Sequence, residues 1–189
     1  MRGIALVIAV LLILVCQARA LEVGDDCVDF ALPTLLQDDE LRLSVHRGKV
    51  VYLDFWASWC QPCKESLTWM NRIQREYAAQ GFQVIAVNLD SVRERAINSL
   101  ASRDIAYKLA FDPDGQVPLS YGVSAMPSSY LLDRQCKVVA IKRGFDTNSL
   151  LGNAKRSNTS ALNFMRSSNH RSFRDQTGAH NRTFNFCGT

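Results

Sequence analysis

The stretch that most constrains this chain runs from Val50 to Lys64. It opens Val50-Val51-Tyr52-Leu53-Asp54-Phe55-Trp56, an apolar run rich in β-branched and aromatic residues. Such a run, broken by one charge, predicts a strand buried on both faces, the pattern of a sheet covered by helices. Ala57-Ser58-Trp59 leads directly to Cys60-Gln61-Pro62-Cys63. Pro62 suits a first helical turn, where a missing N–H costs nothing. Leu67, Met70, Ile73 and Tyr77 then repeat at helical spacing, and Gly81 is placed to end the helix.

That arrangement has a chemical consequence. A cysteine at a helix N-terminus meets unpartnered N–H groups and the positive end of the helix dipole. The Cys60 thiolate is thereby favoured, and its pKa falls below that of a free thiol. Cys63, one turn deeper, is shielded. An outer thiolate with an inner thiol behind it suits disulfide exchange. By itself a C-x-x-C pair also fits half a zinc site. Asp54 is the other anomaly, because a carboxylate inside a buried strand is costly. Desolvation raises its pKa and leaves it able to exchange a proton. The alternative is a strand-end Asp bonded to backbone.

The ends of the chain differ from its middle. Residues 1–20 hold a short basic start, an aliphatic run over 4–15 and the small-residue exit Ala18-Arg19-Ala20. This is the form of a secretory signal peptide, with the mature chain beginning at Leu21. An uncleaved membrane anchor is the alternative. Lipid attachment at Cys16 is disfavoured by Val15 before it. Residues 21–150 carry a formal charge of −3, and residues 151–189 carry +5. The predicted globular part is thus mildly acidic and gives no sign of nucleic-acid binding. The polar, basic stretch 151–189 has no sustained period and reads as disordered. Export implies an oxidising compartment in which disulfides persist. Five cysteines remain after residue 20: Cys27, Cys60, Cys63, Cys136 and Cys187. A Cys27–Cys136 bridge and a pair of small apolar fillers are equally compatible with the sequence, and Cys187 is left over.

The expected elements are strands at 28–32, 41–44, 49–56, 82–89, 107–111, 129–133 and 137–142, with helices at 61–80 and 91–102. Ser91 and Glu94 match a capping box. Asp112-Pro113-Asp114-Gly115 is a turn, and residues 122–127 form a loop. Successive strand–helix–strand units imply right-handed parallel crossovers. One domain over 21–150 is expected, and a further helix begins at 146.

The run Asp54 to Lys64 resembles the active-site segment of the thioredoxin superfamily. Together with Val50–Trp56 and Met126-Pro127-Ser128-Ser129-Tyr130, it resembles the TlpA/ResA-like branch, related to the AhpC/TSA and redoxin proteins. The likeness covers roughly residues 23–145. It implies a thioredoxin-like three-layer α/β sandwich, with a mixed central sheet, helices on both faces, an N-terminal hairpin and a central αβ insertion at 91–111. It implies an exported thiol:disulfide oxidoreductase with Cys60 and Cys63 as the redox-active pair and Asp54 as a buried acid serving Cys63. Trp59, Pro62, Met126 and Pro127 would bind substrate, with a cis bond before Pro127 and with Trp56 and Trp59 walling the site. Clients would be disulfide-bearing proteins of cytochrome c or oxidase assembly, and a membrane thiol transporter would supply electrons. No cofactor or metal is expected, and membrane contact only if the signal stays uncleaved. Where ResA-like members carry a glutamate in the insertion, this chain has Asp90 and Ser91, so that role is not carried over. A peroxidase is excluded by the absence of Pro-x-x-x-Thr-x-x-Cys around Cys60. A metal carrier lacks further ligands at suitable spacing: His46, His170 and His180 read as surface residues, and Lys64 as a solvated helix residue. A non-catalytic interaction domain sits poorly with the intact cysteine pair.

Overall fold

All seven residues of Val50–Trp56 (β3) are buried. In the computed structural model, which describes residues 20–145, this strand is the centre of a five-stranded sheet. On one side it pairs in parallel with Phe82–Asn88 (β4), which pairs in parallel with Lys108–Phe111 (β5). On the other it pairs antiparallel with Ser128–Leu132 (β6), and that strand antiparallel with Val138–Arg143 (β7). Parallel neighbours need a crossover. Gln61–Tyr77 (α1) connects β3 to β4, and Arg93–Leu100 (α2) connects β4 to β5.

The pleat sends alternate residues of β3 to opposite faces. Val50, Tyr52 and Trp56 share one core with Cys60, Cys63, Leu67, Met70 and Ile73 of the α1 segment, and with Ala96 and Leu100 of α2. Val51, Leu53 and Phe55 join the other core, with Phe30, Leu41, Val117 and Tyr121. That face is covered by the hairpin Ala31–Pro33 (β1) and Glu40–Arg42 (β2), and by Gln116–Tyr121 (α3). Phe55 meets the rings of Tyr121 and Tyr130 at centroid distances of 5.7 and 6.1 Å. Burying a ring of this size stabilises the fold by about 1.5–3 kcal/mol. This is the expected three-layer sandwich with helices on both faces.

Local chemistry moves several boundaries from those the sequence suggests. The hairpin strands lie at 31–33 and 40–42 rather than 28–32 and 41–44. The second is cut short because the Ser44 N–H turns to the Asp29 carboxylate at 2.8 Å, and residues 43–46 form a 3₁₀ turn. Within it His46 is half-buried, with part of its ring still at the surface. Helix α1 stops at Tyr77 and tightens into a 3₁₀ turn over Ala78–Gln80, which Gly81 ends at φ +75°. Only glycine enters that region freely. The Ser91–Glu94 capping box does not form. Val92 is the N-cap of α2, without a side-chain bond, and the helix ends at Leu100. The preceding Asp90 is tied to Ser58 and Asn88, the chain bends after it, and the helix starts only after the extended Val92. Helix α3 was not anticipated. Its end is capped from outside, by Asp112 carboxylate oxygens accepting from Gly115 N–H at 3.1 Å and Val117 N–H at 2.9 Å.

Cys27 and Cys136 form a disulfide with Cα atoms 5.3 Å apart. Around it the chain near residue 25 lies along β7: Gly24 N–H donates to Val138 O, Val138 N–H to Asp25 O, and Lys137 pairs with Asp26. The expected signal peptide over 1–20 (apart from Ala20), Cys16, the expected helix from 146, the stretch 151–189, His170, His180 and Cys187 lie outside the described residues. Among the described residues no helix is long and apolar enough to cross a membrane.

Candidate active site

Strand β3 ends at Trp56, and a tight turn follows, closed by Cys60 N–H donating to Ala57 O at 3.1 Å. The turn delivers Cys60 as the N-cap residue of α1, with extended backbone. Pro62 occupies the first turn, exposed, and removes no helical hydrogen bond. The first turn holds no acidic residue, so nothing there opposes a negative charge on Cys60 at the positive end of the dipole. Cys60 and Cys63 are joined as a disulfide, Cα atoms 5.3 Å apart. Cys60 is 5% exposed and Cys63 fully buried. Lys64 is half-buried, less solvated than a free helix residue.

Asp54 is fully buried in the middle of β3. By the pleat it points to the face of Tyr52 and Trp56, the face on which α1 and Cys63 lie. Its Oδ1 accepts from the Ser129 hydroxyl at 2.6 Å, across the β3–β6 pairing that sets the two residues opposite. Its Oδ2 has no hydrogen-bond partner among the described residues. Burial pushes the Asp54 carboxyl up to about 7, partly opposed by the Ser129 hydrogen bond. The strand-end, backbone-bonded alternative is thus not what the structure has. A carboxyl that titrates near neutral pH, with one oxygen free, can accept and return a proton. Tyr52 and Tyr107 feel its charge, and burial holds both phenols protonated well above their ordinary range.

Antiparallel pairing brings the start of β6 beside the end of β3: Ser128 lies opposite Phe55. The Met126–Pro127 loop therefore lands at the edge of the sheet from which the cysteines emerge. The Met126–Pro127 bond is cis. Pro127 is buried, and Met126, half-buried, packs on the core that contains both cysteines. Trp59 is 68% exposed, an indole offered to solvent one residue before Cys60. Trp56 is buried in the core beneath, its Nε1 without a hydrogen-bond partner among the described residues.

One residue that was set aside on sequence has a clear place here. Asp90, 2% exposed, accepts from Ser58 N–H at 2.9 Å and Ser58 Oγ–H at 2.8 Å, and from Asn88 Nδ2–H at 2.7 Å. It fixes the turn that carries Trp59 and Cys60. The available signal was a charge at the C-terminal end of a parallel strand, where open α/β sheets collect their functional loops. Among the described residues no group of three or more His, Cys, Asp or Glu side chains could hold a metal ion.

A profile of the AhpC/TSA family matches residues 23–141. The thiol-disulfide oxidoreductase ResA of Bacillus thuringiensis subsp. konkukian is 30% identical over 135 residues, 71% of this chain and 78% of that protein. Among solved structures, a Chlorobium tepidum protein assigned as a thiol:disulfide interchange protein DsbE superposes with a TM-score of 0.66 at 44% identity, covering 79% of this chain and 98% of that one. The exposed lipoprotein thioredoxin Etrx1 of Streptococcus pneumoniae gives a TM-score of 0.59 at 29% identity, covering 68% and 99%.

Proposed function

The chain belongs to the AhpC/TSA family, among its TlpA/ResA-like thiol:disulfide oxidoreductases, and from that premise we propose that it is exported and reduces particular protein disulfides through Cys60 and Cys63. The observation that carries this reading is the Cys60–Cys63 pair at the N-terminus of α1, over the buried Asp54 carboxyl.

In the reduced enzyme the Cys60 thiolate attacks one sulfur of a client disulfide. The client S–S bond breaks, its second sulfur leaves as thiolate and takes a proton from solvent, and a Cys60–client mixed disulfide forms. The Cys63 thiol then gives its proton to the Asp54 carboxylate, and its thiolate attacks Cys60 Sγ. The mixed disulfide breaks, the Cys60–Cys63 disulfide forms, and the departing client thiolate takes the proton back from Asp54. Two electrons and two protons pass to the client in all. Trp59, Pro62, Met126 and Pro127 hold the client segment, with the Met126 backbone pairing with an extended chain. Reversal of these steps by a membrane thiol transporter returns the enzyme to its dithiol.

Two features support export. Residues 1–20 have the form of a secretory signal. A second disulfide, Cys27–Cys136, ties residue 27 to the β6–β7 turn, and such bonds persist in oxidising compartments. Heme-attachment cysteines of apocytochrome c and cysteines of copper sites in oxidase assembly are the clients the family suggests. Replacing Cys63 by Ala removes the resolving step, so clients should accumulate as mixed disulfides on Cys60. Trapping in the native compartment with mass spectrometry tests this. A small recurrent set of cysteine-pair proteins is expected; recovery of abundant proteins in proportion to abundance would overturn the specific-client reading.

A further inference from the structure

Asp54 and Ser129 are 75 residues apart in sequence and meet only because β3 and β6 pair in the observed register. Ser129 is 3% exposed, and Asp54 is not exposed at all. No water shell competes for either group, so the 2.6 Å contact is a desolvated, charge-assisted hydrogen bond whenever Asp54 is ionised. A serine has one proton to donate. That proton goes to Asp54 Oδ1. The bond engages Oδ1 alone and leaves Oδ2, unpartnered among the described residues, as the oxygen free to carry a proton.

We propose that Ser129 is a positioning residue for disulfide reduction: its hydroxyl holds Asp54 through Oδ1, reserves Oδ2 for the proton of Cys63, and sets the pH above which that proton can be accepted. This rests on the proton-acceptor role given to Asp54 above. The other groups around the carboxyl leave this control to Ser129. Strand β4 presents Ala86 opposite Asp54. Tyr52 and Tyr107 stay protonated, Arg103 acts on Tyr107, and Cys63 does not titrate while oxidised. Burial raises the Asp54 pKa, and the Ser129 hydroxyl opposes that rise.

The test uses the full oxidised protein and follows the Asp54 side-chain carboxyl carbon by NMR across pH, in wild type, Ser129→Ala and Ser129→Thr. Steady-state disulfide reduction is measured over the same range, with Asp54→Asn as reference. Loss of the donor should move the Asp54 titration up by about one pH unit. The acidic limb of turnover should move with it, so activity well below the limb falls roughly tenfold while activity at high pH is kept. Ser129→Thr keeps the hydroxyl and should restore both. In Asp54→Asn the limb should vanish, and adding Ser129→Ala should then change nothing. If Ser129→Ala leaves the Asp54 titration in place, the proposal for Ser129 is wrong. If the titration moves while the turnover limb stays, and Asp54→Asn keeps that limb, the proton-acceptor role of Asp54 fails, and Ser129's part in turnover fails with it.

Discussion

Asp54→Asn should gain stability relative to the wild-type oxidised protein as pH rises to neutral, by an amount that depends on pH in a fixed way. Burial raises the folded-state pKa of Asp54 from its ordinary 3.8 to about 7. Below pH 3.8 the carboxyl is protonated in both folded and unfolded chains and favours neither. Between these values the unfolded chain ionises while the folded one holds its proton, so stability falls as pH rises. Above pH 7 both are ionised, and the full penalty of a buried carboxylate is present. At roughly 1.36 kcal/mol per unit, the difference amounts to about 4 kcal/mol. The asparagine keeps an oxygen for Ser129 and places an NH₂ where Oδ2 had no partner. That exchange is independent of pH and drops out of the comparison. Urea unfolding with both disulfides intact, from pH 4 to 9, should show the variant-minus-wild-type gap widening by about 4 kcal/mol up to pH 7 and flat above it. A gap that is constant, or that narrows with rising pH, would refute the assignment of Asp54 as a strained, near-neutral carboxyl.

Other outcomes follow from the same geometry. In the reduced protein at mildly acidic pH, alkylation should label Cys60 far faster than Cys63, since only Cys60 has the helix N-terminus and residual exposure; equal rates would remove its claim as nucleophile. Replacing Cys27 and Cys136 together by Ser opens a link of sequence separation 109 and should lower stability by about 5 kcal/mol, while turnover of a small disulfide at 25 °C is retained; lost turnover in a folded variant would make that bond part of the chemistry. Asp90→Asn should lower stability by about 1–3 kcal/mol, because one oxygen cannot accept all three bonds that Asp90 now receives, and should lower turnover through a looser Trp59–Cys60 turn; unchanged denaturant midpoints would show that network to be idle.

What the sequence made legible was whatever chemistry is local. The apolar run of β3 and the Cys60-Gln61-Pro62-Cys63 motif lie close together in sequence, and Asp54 stands out as the one charge within such a run. Contacts set by register were not legible. Asp90 finds Ser58 across 32 residues, and Ser129 finds Asp54 across 75. Neither pairing has a periodic signature, because it exists only after β3 has taken β4 and β6 as neighbours. Helix α3 has six residues, including Pro118, too short for a helical period to emerge, and its cap comes from Asp112 outside it. The Ser91–Glu94 pattern suggested a capping box that the prior commitment of Asp90 overrides. The Cys27–Cys136 bond required the β6–β7 turn and residue 27 to be brought together, and spacing alone left it open.

The most direct measurement of the central claim is reduction of insulin disulfides by the wild-type protein, recharged chemically, beside Cys60→Ser at equal concentration. Turnover in the wild type that is abolished by the single Cys60 substitution, with the variant still folded, is the predicted result. Turnover that survives in Cys60→Ser, or a reduced wild type that forms no mixed disulfide with insulin and gives no turnover, would contradict it.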